Sequence, residues 1–251
     1  MLNVENVEFR YRNQANHQPA ALQGVSFLVQ EPQIVVLLGL SGSGKSTLIR
    51  CLNGALVPQR GRIVVQGMDL HGSARCRRRC QHRMGTVYQN HALVQRQTAR
   101  QNVLKAFVST RPWLASFLPP GSGLQAQALA MLDLVGLGDH ADQRVDLLSG
   151  GQRQRVGIAR ALANHPALVL ADEPVASLDP QTGGAVLELL RRLQRRLGLM
   201  AVVSLHQPEQ ARTMADRFIG IRAGNLVFDV PGHAVNQSLL KAIYDQPVRR
   251  A

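Results

Sequence analysis

Five consecutive apolar residues, Ile34-Val35-Val36-Leu37-Leu38, run directly into Gly39-Leu40-Ser41-Gly42-Ser43-Gly44-Lys45-Ser46-Thr47, and Leu48, Ile49 and Leu52 follow at helical spacing. A buried strand, a glycine-rich turn and a helix in that order leave few folds open. The segment fits G-x-x-x-x-G-K-[ST] in the context that gives the pattern its meaning. Its glycines let the backbone curl into a nest of N–H groups aimed at phosphate oxygens. The helix beginning near Lys45 adds the positive end of its dipole. Lys45 is placed to reach the β- and γ-phosphates of a nucleotide, and the Ser46 hydroxyl to ligate Mg²⁺. A ligand-free glycine turn is the plainer alternative, and strand, lysine and hydroxyl together weigh against it.

The chain's 251 residues suffice for one large domain or two small ones. At 45% hydrophobic and 18% charged it is neither disordered nor collagen-like. The net charge of +13 points to an anionic partner, and all but three of the 29 cationic side chains are arginine. Three cysteines (Cys51, Cys76, Cys80) make no disulfide framework and fit a reducing compartment. Ile34 to Leu38 is far shorter than the ~20 residues that span a bilayer. Met1-Leu2-Asn3-Val4-Glu5 lacks the basic-then-apolar pattern of a secretory signal. The expected place is the cytoplasm, with any work at a membrane done by docking.

Around the central strand the pattern alternates. Val4, Val7, Phe9 and Tyr11, then Leu22, Val25, Phe27 and Val29, read as strands about a polar turn from Arg12 to Pro19. Arg62 to Gln66 reads as another strand, Asp69 to Met84 as a basic stretch, and Gly85 to Tyr88 as strand again. From Gln89 to Leu148 helix and loop take over, broken at Pro112, Pro119, Pro120, Gly121 and Gly123. After Ser149 come a helix to Ala163, a strand Ala167 to Ala171, a helix Thr182 to Leu197 and a strand Met200 to Leu205. The prediction is one α/β core interrupted by a helical subdomain.

Ala167 to Pro174 supplies the strand ending in carboxylates that a phosphate loop calls for. Asp172 is placed to hold the Mg²⁺ shell. Glu173, one residue further out, can polarise an attacking water as general base. Alone, the same Asp-Glu-Pro is equally a turn with solvated charges. Leu148-Ser149-Gly150-Gly151-Gln152 opens a further helix with a serine and two glycines, again offering N–H groups to an anion.

With these motifs in this order, and His206 after them, the chain resembles the nucleotide-binding subunit of ATP-binding-cassette transporters over nearly its whole length. The resemblance implies a P-loop NTPase (RecA-like) core with an N-terminal antiparallel β subdomain and an inserted helical subdomain. It implies a single ATPase domain over 1–247, with the catalytic core in 1–88 and 149–230, the helical subdomain in 89–148, and a tail over 231–251. ATP and Mg²⁺ are the implied ligands. Gly39, Leu40, Ser41, Gly42, Ser43, Gly44, Lys45, Ser46 and Thr47 would cradle the phosphates, and Tyr11 would stack on adenine. Ser46, Gln89 and Asp172 would hold the metal, and Glu173, His206 and Gln89 would be catalytic. Leu148, Ser149, Gly150, Gly151 and Gln152 would close on the nucleotide of a second copy in a head-to-tail dimer, with Ser177, Leu178 and Asp179 crossing that interface. Plainer readings stand beside these: Tyr11 as a core aromatic, Gln89 as a surface polar residue, His206 as a structural histidine. If Tyr11 acts by stacking alone, its hydroxyl has no part and Tyr11→Phe is nearly silent. Gln207 stands where an acid follows the histidine in many relatives.

Within the family, Asn102-Val103-Leu104, Thr110-Arg111-Pro112-Trp113, Pro174 to Pro180, Ser204 to Gln207, and Arg222-Ala223-Gly224 ahead of Val227-Phe228-Asp229 resemble phosphonate importer subunits. That group includes phosphite and hypophosphite transporters, and another small solute is a further alternative. The implied activity is ATP hydrolysis coupled to import, at the cytoplasmic face of the inner membrane. The implied partners are integral membrane permease subunits, a second copy and, indirectly, a periplasmic binding protein. A cassette acting on nucleic acid is the alternative the charge favours. Too little chain separates Lys45 from Leu148 for the long insertions of such cassettes, so no nucleic acid is expected. A regulatory, non-catalytic cassette usually lacks the glutamate or histidine, and Glu173 and His206 are both present. Cys76, Cys80 and His82 match no closed zinc pattern. Arg75, Arg77, Arg78, Arg79 and Arg83 read as a solvated helix face. Trp113 and Phe117 form either a local core for the insert or a surface for a cytoplasmic helix of the permease.

Overall fold

Inward-facing residues alternate along β1 (Leu2–Phe9) and β2 (Leu22–Val29), which pair antiparallel. Leu2, Val4, Val7 and Phe9 are buried on the first, Leu22, Val25, Phe27 and Val29 on the second. β4 (Arg60–Val65) pairs with the other edge of β1, and β5 (Met68–Asp69) with β4, giving a four-stranded sheet in the order β2-β1-β4-β5. This is the antiparallel N-terminal sheet that the resemblance implies, built on the strands read from the alternation. A computed structural model describes residues 1–11, 20–88, 92–110 and 120–245, without the side chains of 109 and 110. The turn 12–19, Gln89, Trp113 and Phe117 lie outside the described residues.

Ile34–Leu38 forms β3, with all five residues buried. An unbroken apolar run is what a strand covered on both faces requires. Its two neighbours, β8 (Met200–Ser204) and β9 (Arg217–Arg222), both run parallel to it. β10 (Asn225–Pro231) folds back antiparallel on β9. These strands belong to the first of two compact units, Met1–Cys80 with Met200–Ala251. The same unit holds α1 (Lys45–Leu52), α7 (Pro208–Arg212) and α8 (Gln237–Tyr244). Along α2 (Ala74–His82) the chain passes from this unit to the next.

The second unit, Gln81–Leu199, holds the parallel pair β6 (Met84–Val87) and β7 (Leu168–Asp172). Its helices are α3 (Ala99–Leu104), α4 (Ser122–Leu134), α5 (Gly150–Leu162) and α6 (Pro180–Leu197). The predicted helical insert falls within this unit. Local signals set α6: Asp179 caps its start, Pro180 fills the first turn, and Gly198 ends it at φ +61°. Val186, Leu187, Leu190 and Leu193 form its buried stripe.

Two segments pack where the sequence reads as solvent-facing. α2 carries the arginine run, yet Cys80 on it is fully buried, its thiol 3.8 Å from the Met68 carbonyl oxygen. The segment read as a tail contains α8, whose Ile243 is fully buried.

Candidate nucleotide site

β3 delivers Gly39, and the loop after it folds over its own lysine. Lys45 is only 3% exposed, and its Nζ donates to the carbonyls of Gly39 (2.7 Å) and Leu40 (2.9 Å). Such charge-assisted bonds offset the cost of burying an ammonium. α1 begins at Gly44, whose φ is +112° and whose Cβ, if present, would stand 2.5 Å from the Ala21 carbonyl oxygen. Only glycine admits that approach. From behind, the Gly224 amide donates to the Ser43 carbonyl at 2.9 Å, and Gln23 to Gly224 at 2.8 Å.

The cradle has polar capacity to spare. The Ser43 hydroxyl is buried with no hydrogen-bond partner. α1 has no side-chain cap and no acidic residue in its first turn. An unsatisfied buried hydroxyl costs about 1–3 kcal/mol, and open N–H groups at a helix start attract anions. The residues therefore fit a phosphate. Tyr11 packs edge-on to Phe9, with centroids 4.9 Å apart, and its hydroxyl lies 3.1 Å from Thr47 Oγ1. The hydroxyl is thus engaged with α1, unlike the idle group that stacking alone implies. A cavity of about 620 Å³ lined by Arg10, Tyr11, Leu56 and Gln59, among others, opens beside the ring.

Parallel pairing sets His206 near the loop. Leu37 is in register with Ser204, and the Leu205 amide donates to the Leu37 carbonyl at 3.1 Å, so Gly39 and His206 leave adjacent strands at the same end. The carboxyl end of neighbouring parallel strands is where α/β folds place ligands. His206 is half-buried, and its carbonyl accepts from the Tyr244 hydroxyl at 2.8 Å.

In the second unit, β7 ends on Asp172, and Glu173 follows with φ +47°. A non-glycine residue held in that region costs about 1–3 kcal/mol, a cost that clusters at functional positions. Ser149 caps α5 in a reciprocal box: its Oγ accepts from the Gln152 amide (3.2 Å) and its own amide donates to Gln152 Oε1 (2.8 Å). A Cβ on Gly150 would meet Leu178 Cδ2 at 3.0 Å, and one on Gly151 would meet Thr182 Cγ2 at 2.5 Å. The serine-glycine turn and the Ser177-Leu178-Asp179 loop are therefore neighbours. Asp179 Oδ1 accepts from the Thr182 amide at 2.9 Å, and hydrogen bonding to Thr182 holds its carboxyl below the usual range.

A family model described as ABC transporter matches residues 22–176, a span that contains the phosphate loop, the serine-glycine turn, Asp172 and Glu173. The chain belongs to the ABC transporter family.

ABC cassettes of this kind are ATPases, and they bind ATP. The chain is 46% identical over 224 residues to the phosphonates import ATP-binding protein PhnC 3 of Nostoc sp., covering 89% of this chain and 86% of that protein. Identity is also 46% over 224 residues to the phosphite import ATP-binding protein PxtA of Stutzerimonas stutzeri, with 89% and 81% covered. The fold is that of the ATP-binding cassette MJ0796, solved as a dimer in a post-hydrolysis state with ADP and Pi. The TM-score is 0.80 at 29% identity, over 94% of this chain and all 100% of the other. CbiO1 of Clostridium perfringens, part of the ABC transporter complex CbiONQ, gives 0.80 at 25%, over 92% and 88%. Among the described residues no helix is long and apolar enough to cross a membrane.

Sequence reasoning missed Tyr244 altogether. Leu239, Leu240 and Ile243 at helical spacing signalled the element that carries it.

Proposed function

We propose that this ABC ATPase is the energy-coupling subunit of an importer for phosphonates or phosphite. The observation that carries the ATPase part is the loop Gly39–Thr47, with its lysine folded inward and the Ser43 hydroxyl unsatisfied. The cargo class rests on the likeness to PhnC 3 and PxtA. In this reading the loop amides and Lys45 hold the phosphates, and Tyr11 packs on the base. Glu173, whose backbone is held at φ +47°, takes the proton of the attacking water. His206 contacts the γ-phosphate. Ser46, Asp172 and Gln89 supply the hard oxygen donors that suit Mg²⁺. That ion, when bound, neutralises charge on the β- and γ-oxygens.

Leu148, Ser149, Gly150, Gly151 and Gln152 serve the nucleotide of a second copy, as the dimeric state of MJ0796 supports, with Ser177 to Asp179 beside them. One ATPase domain over 1–247, with the insert 89–148, docks at the cytoplasmic face on permease subunits fed by a periplasmic binding protein. Deleting the gene tests the cargo. Growth should fail on an alkylphosphonate or on phosphite as sole phosphorus source, and persist on phosphate. Unchanged growth on both, from cells whose purified wild-type chain hydrolyses ATP, would reject the cargo and leave the ATPase standing.

A further inference from the structure

Tyr244, the last residue of α8, reaches the backbone of the nucleotide site: its hydroxyl donates to the His206 carbonyl at 2.8 Å. Gly39 opens the phosphate loop, and its own carbonyl accepts from Lys45 Nζ at 2.7 Å. The phenol therefore ties α8 to the end of β8, beside the parallel strand that delivers Gly39 and Lys45.

Three contacts seat the phenol. Ile243, its neighbour, is fully buried. Arg222 Nη1, at the end of β9, donates to the Ala242 carbonyl at 2.8 Å, satisfying one of the carbonyls a helix leaves open at its C-terminus. Asn236 caps the start of α8, accepting from the Leu239 amide at 3.0 Å. Burial pushes the phenol's pKa up to about 12, so the hydroxyl keeps its proton and remains a donor. Its hydrogen bond falls on the peptide of His206, just beyond β8, at the strand end next to the one that carries Gly39.

We infer that Tyr244 is a positioning residue of the nucleotide site: its hydroxyl fixes the His206 backbone, and α8 is thereby part of the hydrolytic machinery. The inference rests on the proposed role of His206 at the γ-phosphate. Losing the bond frees the His206 peptide to turn and re-aims its imidazole. Lys45 keeps its bonds to Gly39 and Leu40, so nucleotide binding changes little while turnover falls.

Tyr244→Phe in the full chain removes one oxygen and leaves the ring. Phosphate release should show kcat lowered ~3–10-fold, the worth of one hydrogen bond, with KM for ATP moved by less than about twofold. In a His206→Ala background the same substitution should lower kcat no further, because the group it positions is gone. Wild-type kcat in Tyr244→Phe overturns the inference. So does an equal further loss in the His206→Ala chain, or a loss of kcat that follows a fall in melting point, since each marks a general structural role. A wild-type chain that fails to hydrolyse Mg·ATP overturns the proposed function and this inference with it. A hydrolysing wild type with an unaffected Tyr244→Phe overturns the inference alone.

Discussion

The hydroxyl of Tyr11 stands 3.1 Å from Thr47 Oγ1, tying the aromatic residue just beyond β1 to the helix that carries the phosphate loop. Tyr11→Phe removes that tie and should raise the KM for ATP ~2–10-fold, the range of one hydrogen bond. Tyr11→Ala also loses the stacking face, worth ~1–3 kcal/mol in base–aromatic contacts, and should raise it further. In a Thr47→Val background, Tyr11→Phe should add nothing. A Tyr11→Phe chain with wild-type KM would leave the hydroxyl without a role in binding.

Glu173 separates chemistry from stability. Glu173→Gln should lower turnover ~10²–10⁴-fold while ATP still binds, because the proton acceptor alone is lost. Glu173→Gly should be equally inactive yet melt higher, since glycine relieves ~1–2 kcal/mol of left-handed backbone strain at φ +47°. Phosphate-release assays and thermal melts on the two variants check both halves. A Glu173→Gln chain with wild-type turnover removes the residue from the mechanism.

Lys45→Ala should act on binding. The ammonium is almost fully buried, and each charge-assisted bond it makes is worth about 1.5–3 kcal/mol. Calorimetric titration with Mg·ATP should show affinity lowered ~10-fold or more. An unchanged affinity would contradict a phosphate-gripping loop.

Burial pushes the Cys51 thiol from 9.0 up to about 12, and the Tyr244 phenol from 10.0 up to about 12. Unfolding lets both groups ionise earlier, so the stability linked to their retained protons is complete below pH 9 and is lost as pH rises toward 12. Urea midpoints should fall from about pH 9 upward. Native chain treated with iodoacetamide should be alkylated at half-exposed Cys76 before buried Cys51, as peptide mass spectrometry would read. Prompt alkylation of Cys51 would contradict its burial.

Legibility in the sequence followed the range of the determining forces. β3, Lys45, Asp172 and the Ser149 turn were readable because strand burial, loop glycines and helix caps act over a few neighbouring residues. The alternation of β1 and β2 announced the two strands for the same reason. Cys80 was not readable, since a helix dense in arginine hides one buried position, and what covers it is set by tertiary packing. The strained backbone at Glu173 leaves no compositional trace. Tyr244 is separated from His206 in sequence, and only the docking of α8 brings its hydroxyl to the His206 carbonyl.

The strand that bears the phosphate loop has both its partners near the far end of the chain: Ile34 lies opposite Ala201, and Val35 opposite Arg217. During synthesis β3 and Gly39–Thr47 therefore leave the ribosome long before β8 and β9 exist, and every residue of the second unit is made in between. Pairing over such sequence separation is slow, and it follows the folding of whatever can fold earlier. Until then Ile34–Leu38 is a bare apolar strand with two open edges, the kind of surface that templates aggregation. A chain truncated anywhere before Met200 cannot cover it. The newborn protein is most exposed to misassembly at the segment on which its chemistry depends.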